Sequence, residues 1–471
     1  MRKRTVSKPR GRLLSLLALL TLGACHFAPT YERPVVDLPP NWSATASASA
    51  AQSTVRWEDL YTDARLQALI RTALVNNHDL RLALARIEEA RALWGVQQAD
   101  QLPNVGVNVG HTASRTPAGV VNNNPVPLST HRYDANLALL AFELDFWGRV
   151  ANLSEAARRN FVASRQDQQV VRLGLISDVA NAYFLVLESQ TRDAVLSQTV
   201  QARQQTLALT ERKREVGAAS DLEVSLAQGA LANAQSEASA LRRQLAQAEN
   251  ALRVLVGGRL PADLPAGLPL AAQPLSLAWG ANLSSAVLLN RPDVQASEAR
   301  LMAANANIGA ARAAFLPRMQ ITGSVGTASQ SLGGLFESGT RAWTYNPNLQ
   351  QPLFDAGRAA GNLDLAKARQ VQAVALYERT VQQAFREVAD LLVARETLSQ
   401  QQTALAANLR SQQERLRLVE ARLQQGAANQ LEWLDAQREA LAAAQNLASV
   451  QRQLLGSTAQ LYKALGGGVE P

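Results

Sequence analysis

The sequence predicts a mainly α fold with a minority of β-strands, built as an internal tandem repeat. Each copy carries two strand-like and three helix-like segments. Two observations carry this reading: landmarks recur at fixed offsets, and the hydrophobic period changes from 3.6 to 2 at matching places. Asp79 recurs as Asp293 and Pro103 as Pro317, both 214 positions on (293 − 79, 317 − 103). Between them, Ala85/Ala299, Arg86/Arg300, Gly95/Gly309 and Leu102/Leu316 align without a gap. Gly148-Arg149 recurs as Gly357-Arg358, and Gly217-Ala218-Ala219 as Gly426-Ala427-Ala428, both 209 apart (357 − 148, 426 − 217). Leu222-Glu223 matches Leu431-Glu432 at that same offset. The five-residue shortfall falls between Pro103 and Gly148, so the copies are expected to differ in a loop and to keep their helix lengths. Aromatic residues are 5% of the chain against 47% hydrophobic, which favours helices packed through Ala and Leu.

In chain order, residues 1–24 read as a signal peptide. Arg2, Lys3, Arg4, Lys8, Arg10 and Arg12 precede a short apolar run, Leu13 to Leu22. The run is too short for a mature membrane helix. It ends Leu22-Gly23-Ala24-Cys25, which resembles the bacterial lipoprotein signal: cleavage before Cys25, then lipid on the thiol. The alternative is an ordinary signal peptide with an incidental cysteine. Cys25 is the chain's 1 cysteine, so no intrachain disulfide framework exists. His26 is not the aspartate linked to inner-membrane retention, which implies outer-membrane sorting. Without the six leader cations the net charge falls from +8 to about +2 (8 − 6). The basic pI is therefore a leader effect, and no nucleic-acid partner is expected.

Residues 25–56 read as a lipid-anchored extended tether, punctuated by Pro29, Pro34, Pro39 and Pro40. The first repeat spans 57–256. Helical periodicity begins near Trp57 and runs to about Gln101, where Leu102-Pro103 stops it. Val105, Val107 and Val109 then alternate with Gly106, Asn108 and Gly110. In the copy Met319, Ile321 and Val325 alternate with Gln320, Thr322 and Ser324. Return strands are expected at Tyr133–Phe146 and Trp343–Phe354, joined by long loops over about Ser114–Arg132 and Thr327–Ala342. Alternation of this kind fits a membrane barrel with a wet lumen, and equally a half-buried soluble hairpin.

Helices follow from Gly148 to Gly217 and from Gly357 to Gly426, each about 69 residues or roughly 100 Å long. Gly148 and Gly357 are read as strand–helix hinges. The return helix carries a 3,4 seam of Leu231, Ala234, Ala238, Leu241, Leu245, Ala248, Leu252 and Leu255. Its copy has Ala443, Leu447, Val450, Leu454, Leu461 and Ala464, the pattern of a coiled coil. Residues 257–290 form a connector, 291–468 the second repeat and 469–471 a tail. No uninterrupted apolar run of about 18 residues follows the leader, so any membrane crossing is expected from strands.

No catalytic constellation, metal site or cofactor is expected. The 4 histidines lack ligand spacing, and Gly257-Gly258 is followed by Arg259-Leu260-Pro261, not by a phosphate-binding pattern. Glu432 and Asp435 share one helix face, three residues apart. The alternative for them, and for Arg422, is a solvated helix face. Glycines Gly217 and Gly426 fit helix C-caps.

The ordered marks Cys25-His26-Phe27-Ala28-Pro29-Thr30-Tyr31-Glu32-Arg33-Pro34, Arg291-Pro292-Asp293, Ala311-Arg312-Ala313-Ala314-Phe315-Leu316-Pro317 and Pro352-Leu353-Phe354-Asp355-Ala356-Gly357-Arg358 carry a family pattern. Leu461-Tyr462-Lys463-Ala464-Leu465-Gly466-Gly467-Gly468 completes it. The chain resembles the TolC-like outer membrane factors, in the lipidated NodT-type branch that serves tripartite efflux pumps. That resemblance implies a homotrimer with a shared twelve-stranded transmembrane β-barrel, four strands per chain, and a long periplasmic α-helical barrel. Closure arithmetic agrees, since about eight strands leave an interior filled by side chains. The resemblance further implies a passive export duct in the outer membrane, anchored in lipid and extending into the periplasm. Its partners would be a periplasmic adaptor and an inner-membrane RND transporter. The Asp435 position narrows the periplasmic end in such proteins, and Arg422 matches a gate arginine. Leu423 stands where some relatives carry an aromatic residue. The turns Gly217, Ala218, Ala219 and Gly426, Ala427, Ala428 would meet the adaptor. The rival reading is a structural periplasmic coiled-coil lipoprotein, a spacer or adhesin stalk.

Overall fold

The computed structural model describes residues 27–39, 42, 56–120, 125–274 and 284–467. Helices are α1 Trp57–Leu60, α2 Ala64–Asn76, α3 His78–Ala99, α4 Arg149–Glu215, α5 Asp221–Val256, α6 Pro292–Ala313, α7 Arg358–Gln424 and α8 Gln430–Ala464. Strands are β1 Asn104–Thr116, β2 Leu128–Leu144, β3 Arg318–Ser329 and β4 Arg341–Gln350.

The single helix expected from Trp57 is three. Asp63 caps α2, accepting from the N–H groups of Arg65 and Leu66. Asn77 ends α2 and opens α3: its Oδ1 accepts from the Leu80 N–H at 3.0 Å and its amide donates to the Leu255 carbonyl at 2.9 Å. Asn and Asp compete for backbone groups in this way, so they break a helix that apolar period alone would continue.

The copies keep their helix lengths: 22 residues in α3 and α6, 67 in α4 and α7, 36 and 35 in α5 and α8. The shortfall is not in a loop, which corrects the expectation. The strand–strand loops, 117–127 and 330–340, are equal in length, whereas β2 has 17 residues and β4 has 10. Pro352, with no N–H to give a ladder, lies just beyond the end of β4. Both return strands also start earlier than expected, at Leu128 and Arg341.

Two compact units cut across the repeats, each drawing on both copies. Among the described residues, the first comprises 27–35, 86–120, 125–165 and 296–378; the second comprises 36–39, 42, 56–85, 166–274, 284–295 and 379–467.

The second unit holds the larger apolar core. Leu66, Leu69 and Ile70 of α2, Ile176, Val179 and Phe184 of α4, Leu252 and Val256 of α5, and Leu455, Ala459 and Tyr462 of α8 pack together. The seams of α5 and α8 are buried at Ala234, Ala238, Leu241, Ala248, Leu252, Ala443, Val450, Leu454, Leu461 and Ala464. Asp63, 1% exposed, ties the connector to this core by accepting from Tyr183, Gln273 and the Leu268 N–H. One helix, α4, is apolar enough over an 18-residue stretch to cross a membrane by composition, against the expectation that none is. Its Leu175, Ile176, Val179, Ala180, Tyr183 and Phe184 are buried in the core, so packing accounts for them.

The first unit holds an antiparallel sheet in the order β1-β2-β3-β4. Its register decides what alternation left open. Val107 pairs with Leu137, Leu137 with Val325, and Val325 with Trp343. Val105 pairs with Leu139, and Met319 with Leu144 and Leu349. Residues paired across strands share a face, so one face is apolar from edge to edge. The other face carries the rows Asn108-Asn136, Ser324-Thr344 and Glu143-Gln320-Asn348. The apolar face is bare: Val107 is 80% exposed, Trp343 72% and Leu137 50%. A soluble hairpin would cover that face. The slip at Leu139-Leu140 is a one-residue bulge: three steps on β2, from Leu139 to Phe142, oppose two on β3, from Gly323 to Ile321. It returns Phe142 and Leu144 to the apolar face.

The N-terminal segment, expected as a tether, is docked within the first unit. Arg312 donates to the Phe27 carbonyl, Asn305 to that of Pro29, and Tyr31 and Arg33 to the carboxylate of Glu298, Arg33 in a bidentate pair at 2.7 and 3.0 Å. Burial and the Glu298 carboxylate push the Tyr31 hydroxyl well above its usual range. The contact residues on α6, 298, 305 and 312, lie at heptad spacing, so one helix face pins the segment. Glu298→Ala should therefore free it. Limited chymotrypsin digestion is expected to cut after Tyr31 at least tenfold faster in that variant; equal rates would show that the docking contributes no protection.

Candidate functional site

The site forms where α7 turns into α8, within the second unit. The turn itself follows from glycine. Gly426 has φ 73°, the Ala427 N–H returns to the Arg422 carbonyl at 2.8 Å and the Gly426 N–H to that of Leu423 at 3.0 Å. Gly217 (φ 75°) does the same in the first copy, with Ala218 donating to Lys213 and Gly217 to Arg214. Both are helix C-caps that need a left-handed residue.

Beyond the turns the copies diverge. In the first, Ser220 caps α5 in a capping box with Glu223. The Ser220 N–H and hydroxyl both donate to Glu223 and hold its carboxyl below the usual range. In the second, Asn429 stands in the place of Ser220 and accepts from the Glu432 N–H at 2.8 Å. The Glu432 carboxylate is thereby released from capping and pairs with Arg422 at 3.0 Å. Arg422 also donates to the Ala427 carbonyl at 2.9 Å, bracing the turn.

Within the chain Asp435 does not pair with Arg422. It lies between Arg415 at 2.8 Å and Arg438 at 2.7 Å, and Arg438 also reaches Glu439 at 3.2 Å. The reason is hairpin geometry: Arg415 and Asp435 lie ten residues either side of Gln425, so antiparallel packing brings them level. The three carboxylates Glu432, Asp435 and Glu439 are thus balanced by Arg415, Arg422 and Arg438. Beneath them Val419, Trp433 and Ala436 form an apolar cluster with Leu416, Leu423, Ala428 and Leu434 packed around it. Leu423 is accordingly a packing residue beside Trp433.

Sequence reasoning missed Arg415, Arg438 and Trp433, and the repeat held the signal. At the 209 offset the first copy has Thr206, Leu226 and Gly229 where the second has Arg415, Asp435 and Arg438, and Val224 where it has Trp433. The Arg415–Asp435–Arg438 part of the cluster belongs to one copy only.

Gly148 (φ 69°) and Gly357 (φ 82°) lie where strand becomes helix. Asp145 caps α4 through the Ala151 N–H at 2.7 Å, and Asp355 caps α7 through the Ala359 N–H at 2.8 Å. Arg149 forms a bidentate pair with Glu143 of β2, at 2.8 and 2.6 Å. Cys25 lies outside the described residues. Among the described residues no group of three or more His, Cys, Asp or Glu side chains could hold a metal.

The chain matches the family described as outer membrane efflux protein over residues 69–258 and 283–467. It is 40% identical to the outer membrane protein OprJ of Pseudomonas aeruginosa over 467 residues, covering 98% of this chain and 96% of that protein. Its fold is similar to a crystal structure of a membrane protein from Pseudomonas aeruginosa, with TM-score 0.88, 39% identity, and coverage of 94% of this chain and all of that one. It is also similar to the open state of the Neisseria gonorrhoeae MtrE outer membrane channel, with TM-score 0.82, 36% identity and coverage of 94% and 98%.

Proposed function

Because the chain belongs to the outer membrane efflux protein family, we propose that three copies close one duct and that the α7–α8 turn is where it shuts. The chain is an outer-membrane efflux channel, and its family works by conduction, not catalysis. The observation that carries the trimer is the sheet: a bare apolar face, a polar face opposite, and two outer strands, β1 and β4, each with one edge open. Apolar-out and polar-in is the demand of a membrane barrel. Open edges are tolerated in lipid only when paired, so neighbouring copies supply the partners. Twelve strands then surround a polar lumen.

The α4–α5 and α7–α8 turns are the surfaces for a periplasmic adaptor, and an inner-membrane RND transporter supplies the energy. A structural spacer has no use for an exposed apolar sheet face. Planar-bilayer recording of the purified protein tests the duct: stepwise conductance of uniform size is expected, and a spacer would give none.

The anchor is Cys25. Only a thiol accepts the diacylglyceryl group, so Cys25→Ser should lose all palmitate label in growing cells while barrel insertion retains part of the protein in the membrane. Label persisting on the serine variant would remove the lipoprotein reading.

A further inference from the structure

We propose that His111 and His131 form a binding site for a borderline divalent cation, Zn2+, Ni2+ or Cu2+, on the apolar face of the β1–β2 hairpin. The register pairs His111 with Tyr133 and Ala113 with His131, so the two imidazoles are diagonal neighbours on one face. His111 Nε2 and His131 Nδ1 are 3.3 Å apart. Two imidazole nitrogens bound at about 2.0–2.1 Å to one tetrahedral ion lie about 3.3–3.4 Å apart. The spacing that now holds a hydrogen bond therefore fits a shared ion, after modest rotation of the two exposed rings. Tyr133 stacks on His111, centroids 4.2 Å apart and planes 14° from parallel, which orients the ligand. On the opposite face Ser114 and Thr130 share a hydrogen bond of 2.8 Å, fixing the hairpin at this level.

Two protein ligands leave two positions to water or an outside oxygen, so the ion would be exchangeable. The place adds a role. Tyr133 lies eleven residues along β2 from Leu144 (144 − 133), about the length a tilted strand needs to cross the hydrocarbon. The pair thus lies at the end of the apolar band, where an ion would clamp β1 to β2 and offer its open positions to lipid headgroup oxygens. That role rests on the membrane reading; the binding itself needs only the hairpin.

The test uses the full chain in detergent, titrated with Cu2+ and read by electron paramagnetic resonance. Wild type is expected to bind about one copper per chain with hyperfine structure from two imidazole nitrogens. His111→Asn and His131→Asn should each lose that signal, and His78→Asn, on α3, should keep it. Zn2+ should raise the melting temperature of wild type by a few degrees and leave His111→Asn unchanged. No two-nitrogen signal in wild type, or one that survives both strand substitutions, overturns the site. Protein that conducts in bilayers yet binds no copper would do so while leaving the channel intact.

Discussion

Arginine in place of Val107 is expected to remove most of the heat-resistant trimer from detergent extracts, and arginine in place of Asn108 is not. The two residues are adjacent on β1 and differ in face. Val107 lies in the row Leu137-Val325-Trp343, and Asn108 opposes Asn136. A charge at mid-bilayer on a barrel's lipid face costs roughly 2–4 kcal/mol. Three copies carry the change together, so about 6–12 kcal/mol bears on one assembly, enough to outweigh a marginal fold. On the polar face the same arginine remains in water. Trimer bands on unheated gels measure both variants. Equal losses would mean that the apolar face is covered by protein and that the barrel account is wrong.

The second large effect is a change in ion selectivity with opposite signs at two neighbouring residues. Because Asp435 is clasped by Arg415 and Arg438, neutralising it does not simply empty a carboxylate ring. Asp435→Asn leaves one uncompensated cation per chain, three around a threefold axis, and should move selectivity toward anions. Arg415→Ala leaves Asp435 short of one partner and should move it toward cations. An exposed pair contributes only about 0–1 kcal/mol. Three pairs acting together reach about 3 kcal/mol, roughly a hundredfold in a closed–open equilibrium. Repulsion among three like charges at a constriction should therefore raise the open probability in both variants. Glu396→Gln, an exposed position on α7 away from the turn, controls for general charge effects. Reversal potentials in a salt gradient read the sign. If both variants match wild type, the cluster is a solvated helix face.

Most of the architecture was legible because it is periodic. The seams of α5 and α8, the Pro103 break and the two glycine turns are one-dimensional signals, and each stands where its period put it. What was not legible depends on pairing. The face of the sheet became decidable only with the register, since the bulge at Leu140 hid the phase of β2. The docking of Tyr31 and Arg33 on Glu298 joins residues more than 260 apart in sequence. No local pattern announces such a contact. The Arg415 contact of Asp435 was hidden for a different reason: family correspondence points only to Arg422 at the gate, whereas distance from the turn and comparison of the two copies both indicate Arg415.

Cysteine cross-linking between β1 and β4 tests the shared barrel most directly. Within one chain these strands are separated by β2 and β3, about 14 Å across the sheet, too far for a disulfide, which needs Cα atoms about 4.4–6.8 Å apart. The 1 native cysteine is at Cys25, and the single β4 variants control for its reaction with an introduced thiol. A scan places one cysteine at positions 105–109 of β1 and one at positions 343–346 of β4, followed by mild oxidation in membranes. Three chains sharing one barrel predict covalent dimers and trimers from a matched subset of double variants, and none from the single β4 variants. Double variants that stay monomeric at every register would contradict a barrel closed by neighbouring chains.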